Sequence, residues 1–177
     1  MTFFGQHSKV LIPSFLFFLF SFTFLSDCSS QNTKKAKMNI PSDLKIEIVT
    51  GGLLPSINRS LIINAEGFCE YSKTEAGKIG KPPLEKKQFT LLESDLETIW
   101  KAVIGNDFFN LQETYINEEI KDGLFLIVFI QGDEKKHQVT IENEKVDAIN
   151  SIISVIESLT PIKEKFIILL NKPGRSE

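Results

Sequence analysis

The segment Leu124–Ile130 limits the folds open to this chain more than any other. It holds seven consecutive apolar residues, bounded by turn-forming residues at 122–123 and 132–133. A run this short is typical of a strand, and an apolar side chain at every position indicates a strand that is covered on both faces or central in its sheet. Val139 and Ile141 then alternate with polar residues, which predicts a hairpin across 132–133.

More strands are predicted on the N-terminal side. Four segments have an apolar strand pattern: 44–48, which halts at Gly51 and Gly52, then 61–64, 68–71 and 84–91. Gly67 can adopt the positive φ that closes a tight turn, so 61–64 and 68–71 are expected to form a hairpin. Residues 73–83 are rich in Lys, Gly and Pro without periodicity, which predicts a solvent-facing loop.

Two segments have helical periodicity. Ser94 and Glu97 have the spacing of a capping box, which predicts the start of a helix that ends near Gly105. Its apolar face is expected to place Trp100 against the strand 124–130. A second helix is predicted from about 144 to 159, ending at Thr160 and Pro161. The residues Phe108, Phe109 and Leu111 are expected in a turn that folds under the first helix.

These patterns predict an α+β domain at residues 41–171. We expect an antiparallel sheet of about five strands with both helices packed on one face, because runs of strands and amphipathic helices do not strictly alternate. The apolar residues 166–170 are too few to span a membrane and favour a last strand over a helical turn. Residues 172–177 are expected to be a disordered tail.

The N-terminal segment has the pattern of an export signal. A basic residue, Lys9, precedes an almost unbroken apolar run at Val10–Leu25, and Cys28 follows shortly after. Since a membrane-spanning helix needs roughly 20 apolar residues, this run is short for a bilayer span. Residues 1–27 are therefore predicted to be a signal peptide.

The sequence Leu25-Ser26-Asp27-Cys28 resembles the lipobox of bacterial lipoproteins. The resemblance implies an acyl chain on Cys28, a membrane anchor in the bacterial cell envelope, and a mature protein that faces the periplasm or the cell exterior. Polar residues follow at 29–37, so 28–40 is expected to be a flexible tether. Three alternatives stay open: an uncleaved N-terminal anchor, cleavage by the general signal peptidase near Ser30, and a buried helix.

Charge and cysteine content limit the partners and the chemistry. The net charge is −3, and lysine and glutamate are interspersed, so a nucleic-acid partner is not expected. If Cys28 is acylated, Cys69 has no partner within the chain, and it is either a buried free thiol or an intermolecular link.

No catalytic or metal-binding constellation is evident, so we predict no enzyme activity, no cofactor and no metal. His137 at a strand end is expected to be structural or exposed, because the sequence places no nucleophile or carboxylate beside it. The acidic residues Glu118, Glu119 and Asp122 do not have the spacing of a calcium loop. The glycine–lysine segment 77–81 is followed by Pro82, where a phosphate-binding loop requires Ser or Thr.

Two segments outside the predicted core are candidates for partner binding. The first is the loop 50–56, which contains Gly51, Gly52, Leu53 and Leu54, and the second is the loop 73–83, which carries the lysines Lys73, Lys78 and Lys81. If these loops bind a protein in the envelope, the leucines are apolar anchors and the lysines steer an acidic partner. The alternative is that the leucines cap the core and the lysines maintain solubility.

The order of elements and the segment Ile48–Gly52 ahead of a hairpin also resemble the emfourins, which are protein inhibitors of thermolysin-like metalloproteases. The main functional hypothesis is a non-enzymatic binding or envelope-structural lipoprotein tethered to the membrane. Inhibition of a metalloprotease through the loop 50–56 is the alternative that the emfourin resemblance implies. A hydrolase built from residues that the sequence cannot pair is a third hypothesis.

Overall fold

The computed structural model describes residues 39–52, 57–78, 81–120, 123–164 and 166. The described residues form an α+β fold, as predicted. Its elements in chain order are β1 (Lys45–Gly52), β2 (Ile57–Asn64), β3 (Phe68–Glu75), β4 (Glu85–Thr90), α1 (Glu93–Gly105), a short 3₁₀ helix (Phe108–Asn110), β5 (Thr114–Ile116), β6 (Leu124–Gly132), β7 (Lys135–Glu142) and α2 (Asp147–Leu159). Neither described α-helix is long and apolar enough to cross a membrane.

The sheet has the strand order β4-β3-β2-β1-β6-β7-β5, and each neighbouring pair is antiparallel except β5 and β7. Its seven described strands exceed the predicted number of about five. Strand β5 has only three residues and pairs in parallel with the end of β7. A strand this short has no alternation of apolar and polar residues from which it could be predicted. The central position predicted for 124–130 is confirmed, since β6 pairs with β1 on one side and β7 on the other.

The two faces of the sheet have different surroundings. One face, called here the covered face, carries the fully buried Ile48, Leu61, Val128 and Val139. These residues form one core with the buried residues of both helices: Leu96, Ile99, Trp100, Val103, Ile149, Ile152, Ile153 and Ile156. No helix of the described ranges buries residues against the opposite face, called here the open face.

Helix α1 begins slightly earlier than the sequence pattern predicts. Its N-cap residue is Leu92, not Ser94, and the Asp95 carboxylate accepts a hydrogen bond of 3.1 Å from the Leu92 N–H. The predicted burial of Trp100 is confirmed at 2% exposure. Its ring lies over Gly132 of β6, where a Cβ would approach it to 2.7 Å. Gly132 is therefore required inside the strand for close packing.

The β6–β7 turn lies one residue later than predicted, at Asp133 and Glu134. Both residues have positive φ, 51° and 62°, which a tight hairpin turn of this hand requires. The carboxylate of Asp43 accepts hydrogen bonds from both of their N–H groups, at 3.0 and 3.1 Å. This contact offsets the strain of two non-glycine residues in the left-handed region.

The C-terminal part of the domain differs from the prediction in one boundary and one element. Helix α2 begins at Asp147 rather than near 144. Of the predicted last strand 166–170, only Phe166 lies within the described residues, and it is 1% exposed in the core. The remainder of that prediction, 167–170, lies outside the described residues, as do 171–177 and the N-terminal predictions at 1–38.

Candidate functional site

The predicted binding residues that the structure describes lie near one end of the sheet. Antiparallel pairing sets Thr50 of β1 opposite Arg59 of β2, and Arg59 opposite Lys73 of β3. Lys78 and Lys81 follow the end of β3. The end of β1, the beginning of β2 and the end of β3 therefore come together, as a joint binding surface of the two predicted loops requires.

Gly51 and Gly52 are strand residues, which corrects the prediction that the first strand halts there. They pair with Phe125 and Leu124 of β6. A Cβ at Gly51 would lie 2.1 Å from the Asn58 Oδ1 and 2.9 Å from the Phe125 ring. Both glycines thus allow close approach of neighbouring side chains and are not free to contact a partner as loop residues. Leu53 and Leu54 lie in 53–56, outside the described residues.

The lysines at this end are mostly neutralised by carboxylates. Lys73 lies in β3, not in a loop as predicted, and its Nζ is 2.7 Å from Glu164 Oε1. Lys78 pairs with Glu75. Lys81, together with Lys78 and Leu84, lines a small cavity of ≈ 150 Å³ beside the end of β3. The steering of an acidic partner by all three lysines is weakened accordingly.

Arg59 is a member of this site that the sequence reasoning missed. Its Nε donates a hydrogen bond of 2.6 Å to Glu164 Oε2, so one carboxylate bridges Arg59 and Lys73. The cation of Lys73, followed by that of Arg59, holds the pKa of Glu164 below its ordinary value. The alternation of Arg59 with Leu61 and Ile63 was a usable signal, because it places the arginine on the covered face.

The open face carries an apolar strip that the sequence analysis did not single out. Strand register places Val49 beside Ile127, and it places Glu47 between Ile62 and Phe129. Phe125 lies beside Gly51 in the next row. We define the apolar strip as Val49, Ile62, Phe125, Ile127 and Phe129. Its members are half-buried, except for Ile62, which is 38% exposed.

The charges around the apolar strip are largely paired on the same face. Glu47, in the middle of the strip, forms an ion pair of 2.5 Å with Lys45. Glu70 pairs with Lys86 at 2.9 Å and accepts a hydrogen bond from Gln88. These contacts hold the pKa of Glu70 below its ordinary value, with Lys86 as the main cause. The strip is therefore an apolar surface with neutralised surroundings.

Polar uncharged side chains border the apolar strip on both sides. The hydroxyls of Ser60 and Ser72 are hydrogen-bonded to each other at 2.8 Å on the β2–β3 side. On the other side, Thr140 of β7 lies beside Ile127, and Thr114 of β5 lies beside Thr140. An apolar centre with a polar rim is the arrangement found in protein–protein interfaces.

The two side chains most suited to covalent or general-base chemistry in the described residues have structural roles. The thiol of Cys69 is fully buried and free, and burial raises its pKa to about 12. A thiol of this pKa is a poor nucleophile at neutral pH. His137 Nε2 lies 2.9 Å from the Leu111 carbonyl oxygen, and its ring packs edge-on against Phe108. The prediction of a buried thiol for Cys69 is confirmed.

No cluster of three or more metal-ligating side chains occurs among the residues that the structure describes. Glu118 and Glu119 lie in a turn in which the Asn117 side chain accepts a hydrogen bond from the Glu119 N–H. Asp122, the third acidic residue of that segment, lies outside the described residues.

No protein-family model matches the chain, and no curated protein matches it at a significant level.

Proposed function

We propose that this protein is an exported, membrane-tethered binding module that recognises a protein partner in the bacterial cell envelope through the apolar strip of its open face. The observation that carries the proposal is the strip itself: five apolar side chains at the centre of a sheet face that no described helix covers. An antiparallel sheet with one solvated face normally carries polar residues there. Contiguous exposed apolar surface in a soluble domain typically marks an interaction site.

The tether is proposed on the signal pattern that ends at Cys28. Cleavage of residues 1–27 and acylation of Cys28 leave the domain on the predicted tether, 28–40, at the membrane surface. Tethering confines the domain to the membrane surface and raises its effective concentration near an envelope partner, which favours a binding role with modest affinity.

Replacement of Cys28 tests the tether. Cys28→Ala is expected to move the protein from the membrane fraction to the soluble fraction, and mass spectrometry of wild type is expected to show acyl chains on an N-terminal cysteine. Unmodified Cys28 or an intact Met1 in the membrane fraction would contradict lipidation. A mature N-terminus at Gln31 would indicate ordinary secretion instead.

A matched pair of variants tests the recognition surface. Ile127→Lys places a charge in the centre of the apolar strip, whereas Ser151→Lys places the same charge on the exposed surface of α2, away from the open face. Capture from an envelope extract is expected to lose specific partners with Ile127→Lys and to retain them with Ser151→Lys, provided that circular dichroism shows both variants folded. Identical partner profiles for wild type and both variants would exclude the apolar strip as the recognition surface.

A further inference from the structure

Exposed apolar residues on the open face continue beyond the apolar strip. Phe68, at the beginning of β3, alternates with the buried residues of that strand and is 43% exposed. Ile116 of β5 lies beside Glu142, which pairs with Phe125 of the strip, and it is 47% exposed. Together with Ile62, these two residues are the large apolar side chains that are exposed on the described strands.

The strand register places these residues on a diagonal of the open face. The diagonal begins at Phe68 on β3, passes Ile62 on β2 and Ile127 on β6, and ends at Ile116 on β5. The other members of the apolar strip lie beside the middle of this line. We define the apolar diagonal as the apolar strip together with Phe68 and Ile116.

The apolar diagonal has the dimensions of one α-helix. Between its ends lie the five strand spacings from β3 to β5 and the length of β1 from Lys45 to Gly51. At about 4.8 Å per spacing and about 3.3 Å per residue, its length is about 31 Å. Its middle is about two spacings wide, or roughly 10 Å. A helix of about 20 residues is about 30 Å long and roughly 10 Å across.

Polar residues occupy both corners of the open face beside the apolar diagonal. One corner, on β6 and β7, has Gln131, Lys136 and Gln138, and the other, on β2 and β3, has Asn58, Ser60, Ser72 and Thr74. Lys136 is exposed and has no ion pair among the described residues. This pattern fits an element with one apolar side and polar flanks, including an acidic residue near Lys136.

A helix suits this surface better than an extended segment does. The N–H and C=O groups of strands point toward neighbouring strands, so a sheet face offers none of them to a segment that lies across it. An extended segment would leave its own backbone groups unpaired there, whereas an α-helix pairs them internally. Strand β6 is also apolar on both faces, which is typical of a strand that is covered on both sides. On the covered face, that cover consists of helices.

The area of the apolar diagonal favours a single helix over a second copy of the domain. A stable interface between two domains buries about 800 Å² on each partner. The apolar diagonal covers only about 300 Å², its approximate length multiplied by its width. Pairing two such faces would therefore bury mainly the polar corners.

We propose that the envelope partner binds through an amphipathic α-helix of about 20 residues that lies along the apolar diagonal. Its apolar residues contact Phe68, Ile62, Ile127 and Ile116, and its polar flanks contact the two corners. The proposal rests on the proposed function, because it names the kind of partner that the open face recognises.

Photo-crosslinking at several positions tests the proposal. A photoreactive amino acid replaces Phe68, Ile62, Ile127 or Ile116, one at a time, in the full-length protein in intact cells, and mass spectrometry identifies the captured residue. Thr74 is the matched control, because it lies on the same face of β3 as Phe68 but about 15 Å from the apolar diagonal. No capture is expected from position 74. Circular dichroism of each purified variant checks that it is folded.

The spacing of the captured residues distinguishes a helix from an extended segment. The steps from Ile62 to Ile127 and from Ile127 to Ile116 each cross two strand spacings and two residues, or about 12 Å. We expect one partner segment to be captured from all four positions, with about eight residues between successive captures from 62, 127 and 116. An extended segment gives an interval of about four residues. Any two of these positions measure the interval, so one unfolded variant leaves the decision intact.

The other outcomes separate this proposal from the proposed function. Captures at the shorter interval, or in separate segments of the partner, would overturn the helix and leave the proposed function standing. Adducts with lipid, with a second copy of the protein or with another part of the same chain would overturn both proposals, as would the absence of any adduct.

Discussion

The two faces of β6 are equally apolar in sequence but differ in what covers them. Leu126, Val128 and Ile130 are fully buried beneath the helices. Phe125 and Ile127 alternate with them on the open face and keep part of their surface exposed. Folding explains the first set, because the helices need an apolar surface to pack on. No helix of the described residues packs on Phe125 and Ile127, so folding alone does not account for their apolar character. Contact with an external partner would account for it.

Neighbouring strands strengthen this contrast. On β3 and β7, open-face positions such as Ser72 and Thr140 are polar, as expected for a solvated sheet face. The centre of the sheet, at β1, β6 and Ile62 of β2, departs from that pattern, as do Phe68 at the beginning of β3 and Ile116 on β5. The apolar residues at the centre lie on neighbouring strands, so they form one contiguous group.

The largest expected effect is on the covered face. Trp100→Ala removes a 2% exposed indole that packs over Gly132, and it should lower the free energy of unfolding by about 3–5 kcal/mol. Denaturant unfolding measures this change, with Trp100→Phe as a control that retains a ring and should lose less. Native tryptophan fluorescence of wild type should be blue-shifted. A red-shifted spectrum would show that the helix is oriented differently.

The next prediction compares the two faces within one strand. Ile130→Ala on the covered face should destabilise the domain by about 2–5 kcal/mol, because it leaves a cavity beneath the helices. Ile127→Ala is the same substitution on the open face, and its effect should be about 1 kcal/mol or less, since the side chain is already partly hydrated. Equal losses in urea unfolding would mean that the open face is buried in the native protein.

The smallest expected effect is the pH dependence at the edge of the covered face. Because the pKa of Glu164 is lower in the folded protein than its ordinary value of 4.5, its ion pairs stabilise the fold above that value, and the contribution is lost as pH falls toward the folded pKa. Exposure of the carboxylate limits each pair to less than about 1 kcal/mol.

Urea unfolding of wild type and Glu164→Gln at pH 7 and pH 3 measures this contribution. Wild type should lose more stability than the variant between the two pH values. If the two proteins show the same pH dependence, Glu164 is not ion-paired in solution.

Local sequence patterns were sufficient to predict most of the fold. The apolar run 124–130 identified the central strand, and helical periodicity identified Trp100 as a core residue. Periodicity reports only which side chains are apolar, not which element covers them. For this reason the same run was equally consistent with a strand covered on both faces. A short parallel strand such as β5 depends on its pairing with β7 and leaves no local pattern.

The candidate sites were harder to predict because they depend on long-range contacts. Arg59 and Glu164 are separated by 105 residues, and no sequence spacing connects them. The sequence pattern predicts that the first strand ends at Gly51 and Gly52, because glycine is depleted within strands. In the folded chain they allow Phe125 and Leu124 to pack closely, a role that only the register with β6 reveals.

Site-specific photo-crosslinking in intact cells tests most directly whether the apolar strip binds an envelope protein. A photoreactive amino acid at position 127 probes the strip, and the same residue at Ser151, exposed on α2, serves as the control. A discrete crosslinked protein is expected from position 127 and is expected to be absent from position 151. No crosslinked protein from position 127, or the same products from both positions, would contradict it.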